Sequence, residues 1–320
     1  MTLGTSPRTA LLAAALLASA GPLSATPYTP VDDPATEVDE AALERDRHER
    51  MTVPVTIDGE GPYRFLIDTG AQATVVTHEL VDDLALKRSG TALLVAMGSS
   101  QRVETIELDG LEFANRSISG LVAPLLHAQH IGADGILGLD SLQDLRVLLD
   151  FRERRMLVAD ADTLGGNAGY DIIVRARPKL GQMIITDARV NGVKTAVIID
   201  TGAQNTIANQ ALISKLRGRK GDDITTVDVL GTQLLSKSLM VRTLQLGDVV
   251  LSSVPVAITD SPIFAALGLG DKPALVLGIG NLQVFDRVAI DFPTRRILFD
   301  VPKEQRNGSG SIWNWTRVKL

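Results

Sequence analysis

The 320-residue chain contains no cysteine and few aromatic residues, which make up 4% of the sequence. The lack of cysteine excludes disulfide bonds, thiol catalysis and the attachment point that a bacterial lipoprotein would need. Val, Ile, Leu and Thr are frequent instead, and short apolar runs alternate with Gly, Asn and Asp. This pattern predicts many short strands rather than long helices, in a chain long enough for two domains with separate cores.

Strong charge of either sign is also missing, since the formal net charge is −6. A nucleic-acid-binding protein normally shows a basic patch or stripe, so we expect no nucleic-acid partner. The histidines His48, His78, His127 and His130 form no set of metal ligands. His127 and His130 have no nearby acidic partner at the spacing of a zinc protease, and this pair is typical of a surface loop. We therefore predict neither a metal site nor a cofactor.

The first 25 residues have the pattern of a signal peptide. Arg8 supplies a positive charge, residues 10–20 form a small-apolar run, and 18–20 and 23–25 are candidate cleavage sites. The run is short for a bilayer span, which disfavours the alternative of a retained anchor. We predict an exported protein, periplasmic or secreted, with no stable membrane span after removal of residues 1–25.

The rest of the chain contains an internal repeat. The segment 65–72 reappears as 197–204, each containing Asp-Thr-Gly-Ala-Gln after an apolar run, and four further landmarks follow in the same order. Those landmarks are turn signals at 97–99 and 230–232, strand segments at 105–110 and 243–248, apolar-Gly segments at 135–139 and 275–279, and closing phrases at 150–157 and 291–298. A repeat of this kind predicts two structurally related units in tandem.

This repeat gives a domain organisation. We predict an N-terminal lobe at 51–160, a flexible linker at 161–169 and a C-terminal lobe at 170–302. Residues 26–50 form a charged segment, either a solvated leader or a pro-segment covering the cleft. The tail 303–320 carries Trp313 and Trp315 on one face of a predicted strand; it is interpreted as docked on the body, with a partner edge strand or an interfacial anchor as alternatives.

The repeated Asp-Thr-Gly motifs point to paired carboxylates. Asp68 and Asp200 each follow a buried apolar strand directly, and a tandem repeat packed about an approximate two-fold axis brings equivalent residues together. Two adjacent carboxyl groups cannot both ionise easily, so they share a proton. The ionised group can then take a proton from water while the protonated group donates to a carbonyl oxygen.

These residues resemble the aspartic proteases of the pepsin and retropepsin clan. The resemblance covers 51–302 and rests on Ile-Asp-Thr-Gly-Ala followed by Ile-Leu-Gly or Val-Leu-Gly, in both halves. It implies an all-β, two-lobe acid-protease fold with a cleft between the lobes, and an aspartic endopeptidase active as a monomer on peptides or unfolded proteins. By position, Asp68 and Asp200 are the catalytic dyad, Thr69 and Thr201 interlock the two loops, and Gly70 and Gly202 allow the turns. The implied bracing strands are Ile136, Leu137, Gly138 and Val276, Leu277, Gly278, and the implied substrate-binding flaps are Met97, Gly98, Ser99 and Leu230, Gly231, Thr232.

Ala71 and Ala203 follow the retropepsin pattern rather than the pepsin one, which has Ser or Thr there. Without a hydroxyl to stabilise the ionised carboxylate, the apparent pKa values of the dyad should rise, so we expect activity closer to neutral pH than in a stomach-type enzyme.

Two other functions remain open from sequence. The first is a non-catalytic peptide-binding or inhibitor module on the same scaffold, because a fold does not guarantee its chemistry. Retention of both Asp-Thr-Gly motifs argues against it. The second is a structural or regulatory envelope protein in which the tail 303–320 is the working part.

Overall fold

A computed structural model describes residues 52–216 and 220–302, and also the backbone of three short terminal strands, β1 (Leu11–Ala13), β2 (Leu16–Leu17) and β25 (Trp315–Arg317). The N-terminal lobe contains β3 (Thr52–Ile57), β4 (Glu60–Ile67), β5 (Val75–Thr77), β6 (Arg88–Val95), β7 (Ser100–Leu108), β8 (Leu111–Phe113), β9 (Arg116–Ile118), β10 (Leu121–Leu126), β11 (Gly135–Leu137), β12 (Arg146–Asp150) and β13 (Arg155–Ala159), with the helices α1 (His78–Asp83), α2 (Ala128–Ile131) and α3 (Leu139–Leu142).

The C-terminal lobe has a similar but not identical order of elements. Its strands are β14 (Ile172–Arg175), β15 (Arg177–Lys179), β16 (Gln182–Val190), β17 (Val193–Asp200), β18 (Ile207–Ala208), β19 (Lys220–Asp228), β20 (Gln233–Leu246), β21 (Val249–Ile258), β22 (Ala274–Gly278), β23 (Arg287–Asp291) and β24 (Arg296–Asp300), with the helices α4 (Gln210–Ile213), α5 (Pro262–Ala266) and α6 (Ile279–Leu282). The prediction of an all-β fold with two related lobes is confirmed.

Each lobe is built on one large sheet. The N-terminal sheet has the strand order β1-β6-β7-β10-β5-β11-β4-β3-β8-β9, and the C-terminal sheet has the order β15-β16-β17-β22-β18-β21-β20-β19-β2, with β25 paired to β21. In both sheets the strand that ends at an Asp-Thr-Gly motif lies beside a parallel partner, β4 beside β11 and β17 beside β22. The residues that lead directly into the motifs are apolar, and Phe65, Ile67, Val197, Ile198 and Ile199 are all buried.

A third, five-stranded sheet joins the lobes, with the order β13-β12-β23-β24-β14. Strands β12 and β23 pair antiparallel across the lobe boundary, so that Arg146 lies opposite Asp291 and Asp150 opposite Arg287. The closing phrases recognised in the sequence begin at the last residues of these two strands, Asp150 and Asp291, and continue into β13 and β24 of the same sheet. The largest apolar cluster likewise contains residues of both lobes.

The segment between the lobes is anchored rather than free. Gly166 N–H donates to the Ala161 carbonyl, and Arg146 donates to the Gly166 carbonyl and to the Asn167 side chain. A flexible linker at 161–169 was predicted because Gly and Asn are common in flexible segments. The sequence does not indicate that Arg146, a buried residue of β12, binds Gly166 and Asn167.

The predicted terminal segments lie mostly outside the described residues. This holds for nearly all of the signal peptide at 1–25, for 26–50 and for most of 303–320, including Trp313. Backbone pairing between β25 and β21 aligns Leu251 with Trp315, so this part of the tail extends the C-terminal sheet. No helix among the described residues is long and apolar enough to cross a membrane.

Candidate active site

Asp68 and Asp200 come together at the junction of the lobes. Asp68 follows β4 directly and Asp200 ends β17, and each side chain is about 2% exposed. The two side chains share a hydrogen bond. A Cβ atom placed on Gly70 would overlap the Asp200 carboxylate, so only glycine fits beside the pair at this position.

The turn after each carboxylate holds it in the same way. Oδ1 of Asp68 accepts hydrogen bonds from the N–H groups of Gly70 and Ala71, at 2.7 and 3.0 Å. Oδ1 of Asp200 accepts from Gly202 and Ala203, both at 3.0 Å. The two-fold relation inferred from the repeat is therefore present in the local hydrogen bonding.

The environment of the pair favours the neutral form of Asp200. Burial raises the pKa of Asp200 well above its usual value, and the neighbouring Asp68 carboxylate adds to this effect. The N–H groups of Ala203 and Gly202 act in the opposite direction without overcoming it. Because the two groups titrate together, the pair keeps one proton over a pH range in which an exposed aspartic acid would be ionised.

Thr69 and Thr201 connect the two loops reciprocally. Thr69 Oγ1 donates to the Ile199 carbonyl at 3.0 Å, and Thr201 Oγ1 donates to the Ile67 carbonyl at 2.7 Å. Each hydroxyl also accepts the backbone N–H of the other threonine, at 3.0 and 3.2 Å. These four buried bonds fix the carboxylates relative to each other.

The apolar-Gly segments run behind the two loops. Ile136 and Leu137 lie in β11, paired with β4, and Val276, Leu277 and Gly278 lie in β22, paired with β17. Asp68 N–H donates to the Leu137 carbonyl at 3.1 Å.

Both glycines of these segments lie in close contact with backbone. A Cβ atom on Gly138 would overlap the backbone of Ala73, and one on Gly278 would lie 2.5 Å from the Asn205 carbonyl oxygen. The strands can approach the dyad loops this closely because these two positions lack side chains.

Sequence reasoning missed the threonines that join loops and bracing strands. Thr74 Oγ1 accepts the Gly138 N–H at 3.2 Å, and Thr206 Oγ1 accepts the Gly278 N–H at 3.1 Å. In the first lobe Thr74 also donates to Asp140 at 2.7 Å. A signal was present, because a threonine follows each dyad aspartate by six positions in both copies of the repeat.

Gln182 is a second residue that the repeat did not reveal. Its buried side-chain amide, at the start of β16 in the C-terminal lobe, donates to the Gly70 carbonyl in the other lobe at 2.6 Å. Its side-chain oxygen is buried and has no hydrogen-bond partner. Gln182 therefore holds the first dyad loop from across the lobe boundary.

The two predicted flap turns each close a hairpin. We call β6, residues 96–99 and β7 the first flap, and β19, residues 229–232 and β20 the second flap. Met97 is fully buried in an apolar cluster of the C-terminal lobe that includes Ala203, and Val229 packs in a cluster of the N-terminal lobe that includes Ala71. Each flap tip thus reaches the opposite lobe next to the dyad, and its role in substrate binding stays a prediction.

Three of the four histidines cluster at the surface of the N-terminal lobe. The rings of His78 and His127 are 4.7 Å apart, and those of His127 and His130 are 5.9 Å apart. Among the residues that the structure describes, no group of three or more His, Asp or Glu side chains is arranged to hold a metal ion. His48 lies outside these residues.

Comparisons with known proteins give one match in each lobe. A family described as gag-polyprotein putative aspartyl protease matches residues 53–144, and a family described as aspartyl protease matches residues 186–280. A crystal structure described as a retropepsin-like aspartic protease from Rickettsia conorii is 20% identical, with a match that covers 41% of this chain and 89% of that chain at a TM-score of 0.27. A search of curated proteins found no match.

Proposed function

Because the chain belongs to the retropepsin-like aspartic proteases and carries two such lobes in tandem, we propose that it is an endopeptidase whose catalytic dyad is Asp68 and Asp200. The observation that carries the proposal is the symmetric pair of buried carboxylates, each held by two backbone N–H groups and hydrogen-bonded to the other. This geometry supports a role for both residues, since neither lobe has lost its aspartate or the turn that holds it.

The proposed chemistry follows from the shared proton. One carboxyl group of the pair holds the shared proton, and the other is ionised. The ionised carboxylate accepts a proton from a water molecule positioned between the two groups, that water attacks the carbonyl carbon of a peptide bond, and the protonated carboxyl group donates to the carbonyl oxygen to give a tetrahedral intermediate. When the carbon–nitrogen bond breaks, the proton taken from water passes to the leaving amine, and the other carboxylate takes back a proton from a hydroxyl of the intermediate, which leaves a carboxylic acid. The raised pKa supports the expectation of activity closer to neutral pH.

The substrate in this proposal is an extended peptide or an unfolded segment of a protein. Both flaps are hairpins whose tips pack in apolar clusters that contain Ala71 and Ala203, so we propose that a peptide binds between flaps and dyad, where it would meet main-chain hydrogen-bonding groups along its length. Since both carboxylates belong to one chain, we propose that the active form is a monomer. The signal-peptide pattern supports a location outside the cytoplasm.

Cleavage of a complex peptide library, mapped by mass spectrometry from acid to neutral pH, tests the proposal. We expect wild-type protein to cut internal bonds, and Asp68→Asn and Asp200→Asn each to lower the cleavage rate by about 10²–10⁴-fold, since each removes a general acid or base. The matched control is Asp187→Asn, because Asp187 is 87% exposed and pairs only loosely with Lys194. Cleavage that persists in both dyad variants, or no cleavage by wild type, would contradict the proposal.

A further inference from the structure

The second flap contains a buried carboxylate at its tip. Asp228 is the last residue of β19 and is only 1% exposed. Buried carboxylates require hydrogen-bond donors, and those of Asp228 come from both flaps. Oδ1 accepts from the N–H groups of Leu230 and Thr232 in its own turn, at 3.0 and 2.8 Å. Oδ2 accepts from the Gly98 N–H at 3.1 Å and from the Ser99 hydroxyl at 3.0 Å.

The two oxygens of Asp228 thus have separate tasks. Oδ1 shapes the turn of the second flap, and Oδ2 binds the tip of the first flap. A further contact between the hydroxyls of Thr232 and Ser99, at 3.0 Å, lies beside this connection. Asp228 accepts two of these three inter-flap bonds, so it is the main polar link between the two tips.

The acidic residue breaks the symmetry of the repeat. Hairpin closure identifies its counterpart, because the Asp228 N–H donates to the Thr232 carbonyl and the Ala96 N–H donates to the Ser99 carbonyl in the same way. The first flap therefore has an apolar residue where the second has a carboxylate. The Asp228 side chain therefore accepts hydrogen bonds from both flap tips. The turn of the second flap is one residue longer than that of the first.

We propose that Asp228 is a positioning residue that latches the tips of the two flaps together, so that a peptide enters only when the bonds from Asp228 to Gly98 and Ser99 break. The consequence for cleavage rests on the proposed function, whereas the latch itself is a property of the unliganded protein. While it is closed, Met97 and Val229 stay buried against the opposite lobes. Opening of the latch therefore also uncovers these two side chains and the apolar clusters next to the dyad.

Asp228→Asn separates the two tasks of the side chain. The amide oxygen can still accept from Leu230 and Thr232, but the NH₂ group that replaces Oδ2 cannot accept from Gly98 N–H. The turn should therefore persist while the bond to Gly98 is lost and Ser99 can bind this side chain only as an acceptor. Ser99→Ala removes the two inter-flap bonds of the Ser99 hydroxyl, with Asp228 and with Thr232, and leaves the bond between Gly98 N–H and Asp228 in place. The matched control is Asp223→Asn on the same strand, because Asp223 is half-exposed and pairs at 2.6 Å with Lys237 of its own flap.

The absence of cysteine allows a direct measurement of flap separation. Spin labels are attached to Gln101→Cys on the first flap and Leu235→Cys on the second, both at exposed positions, and their distance distribution is measured in the full chain without substrate. We expect one narrow peak in the labelled parent and in Asp223→Asn. Asp228→Asn should broaden the distribution and add a longer distance, and Ser99→Ala should do so to a smaller extent.

Hydrogen exchange gives an independent readout at the latch itself. The Gly98 amide should exchange about tenfold faster or more in Asp228→Asn than in wild type, because its hydrogen bond to Oδ2 of Asp228 is lost. Unchanged distances together with unchanged Gly98 exchange in Asp228→Asn, or equal changes in Asp223→Asn, would overturn the latch. Neither measurement needs catalysis, so its outcome is independent of whether the library is cleaved.

Discussion

Asp200 is the residue at which folding most clearly opposes ionisation, since burial and the neighbouring Asp68 raise its pKa well above the usual value. When folding raises the pKa of a group, the stability that the protonated group contributes is fully present below the unfolded-state pKa. This contribution is lost as the pH rises through the folded-state pKa. We therefore expect the Tm of the wild type to fall as the pH rises from the unfolded-state pKa of Asp200 through its folded-state pKa. Asp200→Asn cannot ionise and should remove this fall.

Calorimetry of the wild type, Asp200→Asn and Asp187→Asn across this pH range checks the prediction without any substrate. Asp187→Asn should keep the wild-type slope, because Asp187 is exposed. If Asp200→Asn showed the same decline in Tm as the wild type, ionisation of the dyad would not be its source.

At the scale of loops and strands, the interlocked threonines should contribute strongly to stability. Thr69→Val would leave the Ile199 carbonyl and the Thr201 N–H without their partners in a buried site. At about 1–3 kcal/mol for each unsatisfied buried group, we expect the free energy of unfolding to fall by about 2–6 kcal/mol. Thr201→Val should behave alike, because its bonds to the opposite lobe are equivalent.

Equilibrium urea unfolding measures this loss, and Thr69→Ser is the matched control because it keeps the hydroxyl. The serine variant should lose far less stability than the valine variant. Equal stability of the two would mean that the hydroxyl bonds between the loops do not hold the dyad loops together.

The site elements predicted from the sequence all occur in both halves of the chain, although the repeated Thr74 and Thr206 were missed. The dyad, its turns and the bracing segments were visible because two lobes with the same local structure need the same residues at the same spacing. Asp228 was not found, because an asymmetric residue leaves no second copy to compare. The only sign of Asp228 in the sequence is that the second flap has an acidic residue at the position where the first flap has Ala96. Gln182 donates a hydrogen bond to the Gly70 carbonyl across the lobe boundary, and the spacing of residues along the sequence does not predict such a contact.

At the scale of the whole molecule, a buried ion pair connects the two lobes, and this pair was not predicted from the sequence. Arg146 is 1% exposed and binds Asp291, which is 0% exposed, across the β12–β23 pairing. The same guanidinium donates to the Gly166 carbonyl and to Asn167. One side chain of the N-terminal lobe therefore holds both the C-terminal lobe and the segment between them.

Removal of this arginine should weaken the molecule as a unit. Arg146→Ala leaves a buried carboxylate without its partner, for which we expect a loss of about 3–5 kcal/mol in the free energy of unfolding. Arg155→Ala is the matched control in the same sheet, since Arg155 is 55% exposed and 3.9 Å from Asp150, and should change stability by less than about 1 kcal/mol.

The double variant Arg146→Met, Asp291→Leu distinguishes a lost partner from a lost contact. Because apolar replacement of a buried pair is often neutral, it should recover most of the stability that Arg146→Ala loses. Urea unfolding followed by circular dichroism measures all three variants. Recovery would show that the lobes need an interface without an unpaired buried charge, rather than this particular ion pair. A double variant as unstable as Arg146→Ala would instead assign the loss to the bonds with Gly166 and Asn167, and hence to the anchored segment between the lobes.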